Sequence, residues 1–254
     1  MTSLPGAAAF HYEGHGPNAG VGVLLSHGFT GSPVSLAVWA RSLAEQGYAV
    51  SLPLLPGHGT TWQELARTPW QRWYEEYENS YQALKERSGC IVAAGLSMGG
   101  ALALRLAARQ AVAGVVVVNP GLTIGDPRAR FSGLLKYVLK SVPAIGNDIR
   151  LEGQDEGAYA RTPVGAVHQL GRLFRDTAAS LPAVTAPVLA FRSRVDAVVP
   201  ESSMDLLRGR LVNAELEVVP LENSYHVATM DHDAPLIFSR SAEFIQRVSS
   251  GVHS

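Results

Sequence analysis

The sequence predicts an α/β fold: a mostly parallel central sheet flanked by helices on both faces, with a helical cap inserted into it. Three observations carry this. Short, near-continuous apolar runs alternate with stretches of helical spacing, as strands buried on both faces of a parallel sheet require. The alternation breaks once, across residues 121–181, and then resumes. A length of 254 residues suits one large domain with a substantial core and no need of staples.

The elements follow in order. Val21 to Ser26 (VGVLLS) reads as a buried strand, closed by the turn residues Gly28, Gly31 and Pro33. A helix is expected over Leu36 to Gln46, stopped by Gly47, then a strand from Tyr48 to Pro53. The loop PGHGTT leads to a longer helix from about Trp70 to Arg87. Cys90 to Leu96 is a strand that runs into Ser97, and a helix begins near Met98 and extends to Arg109. Ala113 to Asn119 (AGVVVVN) is the next strand. The segment 121–181 has more charge and breaks at Pro127, Gly133, Pro143, Gly146, Gly153 and Pro163. It is too long for a structureless loop, so it is expected to pack as a cap over one edge of the sheet. Within it, Phe131, Leu134, Leu135, Val138 and Leu139 recur at helical spacing, which predicts an apolar stripe on a helix, with Lys136 and Lys140 beside it. Such a stripe packs on the domain, lines an apolar pocket, or rests on a lipid surface with its lysines reaching toward head groups. After the insertion come a strand (Pro187 to Arg192), a helix (Glu201 to Arg210), a strand (Leu216 to Pro220) and a final helix (Pro235 to Val248). The whole chain, 1–254, reads as one domain without internal repeats.

Composition excludes several classes of function. Lys plus Arg number 21 and Asp plus Glu 22, so no net field favours nucleic acid or an acidic polymer. Cys90 stands alone in an apolar run and is expected as a buried core thiol; no CxxC or CxxH spacing suggests zinc. The N-terminal stretch lacks a basic start followed by an apolar segment, and no apolar run approaches the ~18 residues of a membrane span. A cytoplasmic protein is expected, one able to lie peripherally on a membrane. The sequence leaves the oligomeric state open.

Gly95-Leu96-Ser97-Met98-Gly99 matches G-x-S-x-G between a predicted buried strand and a predicted helix. That context puts a serine oxygen on a sharp turn with a helix N-terminus behind it, which favours developing negative charge. A plain helix N-cap serine is the alternative. A serine hydroxyl needs an imidazole to take its proton and a carboxylate to orient that imidazole. Of the histidines after Ser97, only His226 falls between the last predicted strand and the last helix, whereas His168 lies in the insertion, His232 beyond the turn and His253 near the end. Asp196, in RSRVDAVVP at a strand's C-terminal end, is the candidate acid, with Glu201 and Asp205 as rivals in the following helix. An oxyanion needs two preset donors: the Met98 amide, and that of Phe29 in the loop His27-Gly28-Phe29-Thr30-Gly31. His27 and His58 are expected to shape loops. An imidazole base implies activity that falls with pH through histidine's range, near 6.5 for a free imidazole.

Together LLSHGFTGSP, LPLLPGHG, AGLSMGG, the aspartate loop and NSYHVATMDHD resemble the bacterial monoacylglycerol lipase and thermostable carboxylesterase family of α/β-hydrolases. NSYHVAT and the cap segment AYARTP point to its monoacylglycerol lipase branch. The resemblance implies the α/β-hydrolase fold and hydrolysis of one ester bond in 1- or 2-monoacylglycerols, to glycerol and a fatty acid through an acyl-enzyme, with no metal and no cofactor. It implies that Glu156 helps hold a glycerol head group and that Ile145 lines an acyl tunnel; for Glu156 a solvated surface charge is the alternative. The aspartate loop departs from the family pattern through Arg192 and Arg194, which give it a basic flank.

Three other readings compete. A general carboxylesterase or acyl-thioesterase would share every catalytic residue and differ in pocket shape. A dehalogenase would need an aspartate where Ser97 stands. A non-catalytic binding protein would tolerate a broken triad, whereas here every part has a candidate.

Overall fold

In the computed structural model, which describes residues 7–250, a seven-stranded sheet carries the chain. Its strands are β1 (Phe10–Tyr12), β2 (Val21–Ser26), β3 (Ala49–Leu52), β4 (Cys90–Leu96), β5 (Gly114–Val118), β8 (Val188–Ser193) and β9 (Leu216–Leu221), with β6 (Ser141–Pro143) and β7 (Arg161–Pro163) forming a separate hairpin-like pair. The order across the sheet is β1-β3-β2-β4-β5-β8-β9; all neighbours are parallel except β1 against β3. The helices are α1 (Ala37–Glu45), α2 (Trp62–Arg67), α3 (Trp70–Lys85), α4 (Met98–Ala107), α5 (Ser132–Leu135), α6 (Val164–Ser180), α7 (Ser202–Arg210) and α8 (Ala234–Ser249).

Both sheet faces are covered, which is why the central strands read as unbroken apolar runs. On β5, Val115 and Val117 join one core with Trp73 and Tyr77 of α3 and Leu102 and Leu106 of α4. Val116 and Val118 join the opposite core with Trp39 and Leu43 of α1 and Phe244 and Ile245 of α8. The alternation of the strand thus feeds two layers of helices. Cys90 is half-buried at the start of β4 rather than deep in the core, because its position faces the sheet's N-terminal rim; burial still pushes its thiol up.

The segment between β5 and β8 has two characters. Its C-terminal part, α6, lies along α4, with Leu173 and Phe174 in the core and the Thr177 hydroxyl donating to the Ala101 carbonyl. The preceding part arches over the C-terminal ends of the strands. There the expected helix bearing the apolar stripe is corrected: a 3₁₀ turn over Pro127–Phe131 leads into a single helical turn, α5, and then irregular chain. Phe131, Leu134, Val138 and Leu139 are exposed, and of the five only Leu135 and Leu139 reach the cavity lining. A helix this short is marginal without a packed face, and nothing among the described residues covers the outer side of this one. The strands β1, β6 and β7 and the helix α2 are too short to carry a readable period, and none was expected from the sequence.

Candidate active site

β4 delivers the chain to Ser97, whose backbone sits at φ 56° and ψ −117°, a region that side-chain-bearing residues rarely enter. The surrounding glycines make room for this turn. A methyl group on Gly95 would overlap the Gly99 carbonyl, and one on Gly99 would overlap the Ser26 carbonyl of neighbouring β2. The Ser97 N–H donates to Val118 at 2.9 Å, and the Ser97 carbonyl accepts from Ala101 and Gly121. The strained residue is therefore pinned from both sides while α4 starts directly behind it.

His226 and Asp196 come from loops following β9 and β8. The His226 Nδ1–H donates to Asp196 Oδ2 at 3.0 Å, which leaves Nε2 as the ring nitrogen not engaged by the carboxylate. The other Asp196 oxygen accepts the N–H groups of Val198 (2.9 Å) and Val199 (2.8 Å). Burial alone would raise the Asp196 carboxyl, but the hydrogen bond and charge of His226, with those two amides, hold it below the ordinary carboxylate value. His226 and Ser97 face the same cavity, of about 660 Å³, at the C-terminal ends of the strands. Asn119, at φ 45° past the end of β5, holds both loops: its side-chain amide donates to the His226 carbonyl (2.8 Å) and to Ser193 Oγ (2.9 Å), and its carbonyl accepts from the Ser193 N–H.

The loop after β2 curls beside Ser97, since a Cβ on Gly28 would sit 3.6 Å from the Ser97 Cβ. Phe29 lines the cavity and Met98 opens α4. Among the described residues, neither of their N–H groups donates a hydrogen bond within the protein. Thr30 adopts φ 64°, and its carbonyl accepts from the Tyr159 N–H of the cap. Behind this loop His27 donates through Nδ1 to the Gly28 carbonyl and accepts the Leu55 N–H at Nε2, and it packs on His58. Burial lowers His27 to about 4 and pushes His58 well below the usual imidazole value.

Glu156 and Ile145 both reach the same cavity from the cap. Ile145 is largely exposed at its mouth. Glu156 Oε1 accepts the Asn147 N–H while Asn147 Oδ1 accepts the Glu156 N–H, and Glu156 Oε2 lies 3.7 Å from where a Cβ on Gly31 would stand. Burial pushes the Glu156 carboxyl up, opposed by the Asn147 amide and the field of His226. The rivals lie elsewhere. Glu201 and Asp205 pair with arginines at the head of α7, His168 rides on α6 against Gly133, and His253 lies outside the described residues.

Two site residues, Asp148 and Asp231, are not marked by the sequence, and a third, Arg192, is marked there only as a basic flank. Asp148 of the cap accepts the N–H groups of Ala197 (3.1 Å) and His226 (3.2 Å), joining the acid loop to the base loop. Buried Asp231 accepts four main-chain N–H groups, from Tyr225 and His232 of the base loop and Arg150 and Leu151 of the cap. Arg192 donates to Asp196 Oδ2 at 2.8 Å. Only for Arg192 was there a signal, its departure from the family pattern. An aspartate that gathers amides leaves no periodic trace.

A model of the alpha/beta hydrolase family matches residues 23–243. The thermostable monoacylglycerol lipase of Bacillus sp. (strain H-257) is 40% identical over 248 residues, covering 96% of each chain. The carboxylesterase of Bacillus subtilis (strain 168) is 26% identical over 227 residues, covering 89% of this chain and 92% of its own. A solved structure reported with the metagenome-derived lipolytic enzymes LipS and LipT superposes with a TM-score of 0.92 at 38% identity, covering 97% of this chain and all of the other.

Proposed function

Because this chain belongs to the alpha/beta hydrolase family, we propose that it is a serine ester hydrolase that cleaves monoacylglycerols to glycerol and a fatty acid. The observation that carries the reading is one cavity that collects Ser97 on its strained turn, the Asp196-oriented His226 and a long apolar lining that includes Leu135, Leu139, Ile145 and Phe174. A fatty chain needs such a sleeve, and about 660 Å³ exceeds what a short acyl group would fill.

In this reading His226 Nε2 takes the Ser97 proton as Oγ bonds to the ester carbonyl carbon. The carbonyl electrons move onto oxygen, and the Phe29 and Met98 amides receive that oxyanion. Collapse re-forms the carbonyl and breaks the bond to glycerol, whose oxygen leaves with the proton from His226. Water then gives a proton to His226 as its oxygen bonds to the acyl carbon; collapse breaks the bond to Ser97 Oγ, which takes that proton back from His226 as the acid leaves. Glu156 supports selection of a glycerol head group: its carboxylate lines the cavity beside Gly31 of the oxyanion loop, and the hydroxyls of a bound glycerol need an acceptor. The exposed Leu134, Tyr137 and Val138 beside Lys136 and Lys140 support transient seating of the cap on a lipid surface. No helix among the described residues is long and apolar enough to cross a membrane. We propose such contact as peripheral, made from the cytoplasm.

The test is glycerol release from 1-monoacylglycerols of graded chain length, beside a diacylglycerol and a short nitrophenyl ester, with Ser97→Ala as control. Preference for monoacylglycerols that the substitution abolishes is the expected result. Activity confined to the short ester would keep Ser97 and discard the lipid substrate in favour of a general carboxylesterase.

A further inference from the structure

The flank of the aspartate loop holds a feature that the reaction above does not use. Arg192, at the end of β8, is nearly buried and spreads its guanidinium over three acceptors: Asp196 Oδ2 (2.8 Å), the Val199 carbonyl (2.8 Å) and Glu201 Oε2 (3.1 Å). Asp196 Oδ2 is also the oxygen that receives the His226 ring. With Val198 and Val199 on Oδ1, the carboxylate has four donors for its four lone-pair sites. We propose that Arg192 is a positioning residue that sets how far into acid the enzyme stays active, by dividing the Asp196 charge between a permanent cation and the imidazole.

A triad carboxylate stabilises the positive ring that forms when histidine accepts a proton. A guanidinium on the same oxygen, held in a nearly dry place, already neutralises much of that carboxylate and repels a second positive charge. The ring is then harder to protonate from solvent, so the free base persists at lower pH. Other groups around the ring act in the opposite sense. Asp148 of the cap accepts the His226 main-chain N–H, Glu156 faces the same cavity, and Asp231 anchors the Tyr225 N–H. Glu222, near the end of β9, is taken by Arg194, and Glu201 is shared between Arg192 and Arg208. Among the described residues Arg192 is the one cation in contact with the Ser97, Asp196 and His226 group.

This inference rests on the reading of Ser97, Asp196 and His226 as the catalytic residues. Its test is the pH profile of kcat/KM on a soluble nitrophenyl ester for the wild type, Arg192→Met, Arg192→Lys and Glu201→Gln, with circular dichroism at every pH. The rate of Ser97 labelling by a fluorophosphonate, measured over the same range, reads the base without turnover. Arg192→Met should move the acid limb up by about one pH unit in both measurements, as loss of an adjacent charge does. Arg192→Lys should keep the limb near its original place while lowering kcat, since an ammonium cannot hold Asp196 and Val199 together. Glu201→Gln, which removes the countercharge, should move the limb down. If Arg192→Met and Arg192→Lys shift the limb equally, or neither shifts it, Arg192 merely braces the loop and the proposal falls. Should Arg192→Met not fold, the unmoved limb expected of Arg192→Lys and the downward shift expected of Glu201→Gln still decide. Labelling that survives Ser97→Ala would instead overturn the catalytic reading itself.

Discussion

Ser97 occupies a backbone region that costs on the order of 1–3 kcal/mol for a residue with a side chain. That cost is borne locally by Gly95 and Gly99, whose missing methyl groups are what allow strand, turn and helix to approach so closely. Ser97→Ala leaves the same backbone and the same neighbours, so its stability should stay within about 1 kcal/mol of the parent. Its ester hydrolysis should fall by about 10⁴-fold or more, because the attacking oxygen is gone while the oxyanion donors remain. Thermal melting beside the glycerol assay checks both halves. A large drop in melting temperature would mean that the hydroxyl has a structural part to play, which none of its contacts indicates.

At the scale of elements, the cap and the loops bearing Asp196 and His226 are stitched together rather than merely adjacent. Asp231 is the main stitch, with two amides of the base loop on one side and two of the cap on the other. Asp231→Asn keeps the shape but replaces one accepting oxygen with a donor that faces main-chain N–H groups. A destabilisation of about 2–4 kcal/mol is expected, together with a fall in kcat larger than any change in KM. Denaturant melts and steady-state kinetics would show it; unchanged kcat at reduced stability would separate the cap from the triad. The central strands and long helices were legible in the sequence because each is long enough to show its period, as VGVLLS and AGVVVVN do on β2 and β5. The residues 131–139 misled for the same reason. Their spacing is helical, yet the chain leaves them unsupported, and a period without a partner surface does not make a helix. The positions of Ser97, Asp196 and His226 could be read from motif and chain order, whereas Asp148 and Asp231 act on main-chain amides brought near only by the finished fold.

Two expectations concern the whole molecule. The cap presents Leu134, Tyr137 and Val138 outward with Lys136 and Lys140 among them, next to the mouth of the cavity. If this face seats on lipid, Leu134→Ser with Val138→Ser should reduce hydrolysis of monoacylglycerol in anionic vesicles several-fold and leave a soluble ester untouched. Equal rates on vesicles would remove the face from consideration. The second expectation comes from His27 and His58, which are buried without charge. His27 titrates at about 4, and His58 well below an ordinary imidazole. An unfolded chain binds protons at these residues near pH 6.5, before the folded chain does, so stability is intact above that pH and is lost as pH falls toward 4. For His27 the loss amounts to about 3 kcal/mol at the acid end. Melting curves between pH 7 and 4 should fall accordingly and fall less steeply in His27→Asn, where His58 still contributes; a curve level across that range would contradict it.

The packing behind the oxyanion loop also gives the molecule an optical property. The Trp73 indole lies 5.6 Å from the His58 ring and 6.0 Å from the Phe29 ring, centroid to centroid. An imidazolium beside an indole quenches its emission, and displacement of Phe29 alters the indole's surroundings. With Trp39, Trp62 and Trp70 replaced, Trp73 would report, without a label, on the part of the chain that must hold still while an ester is cleaved.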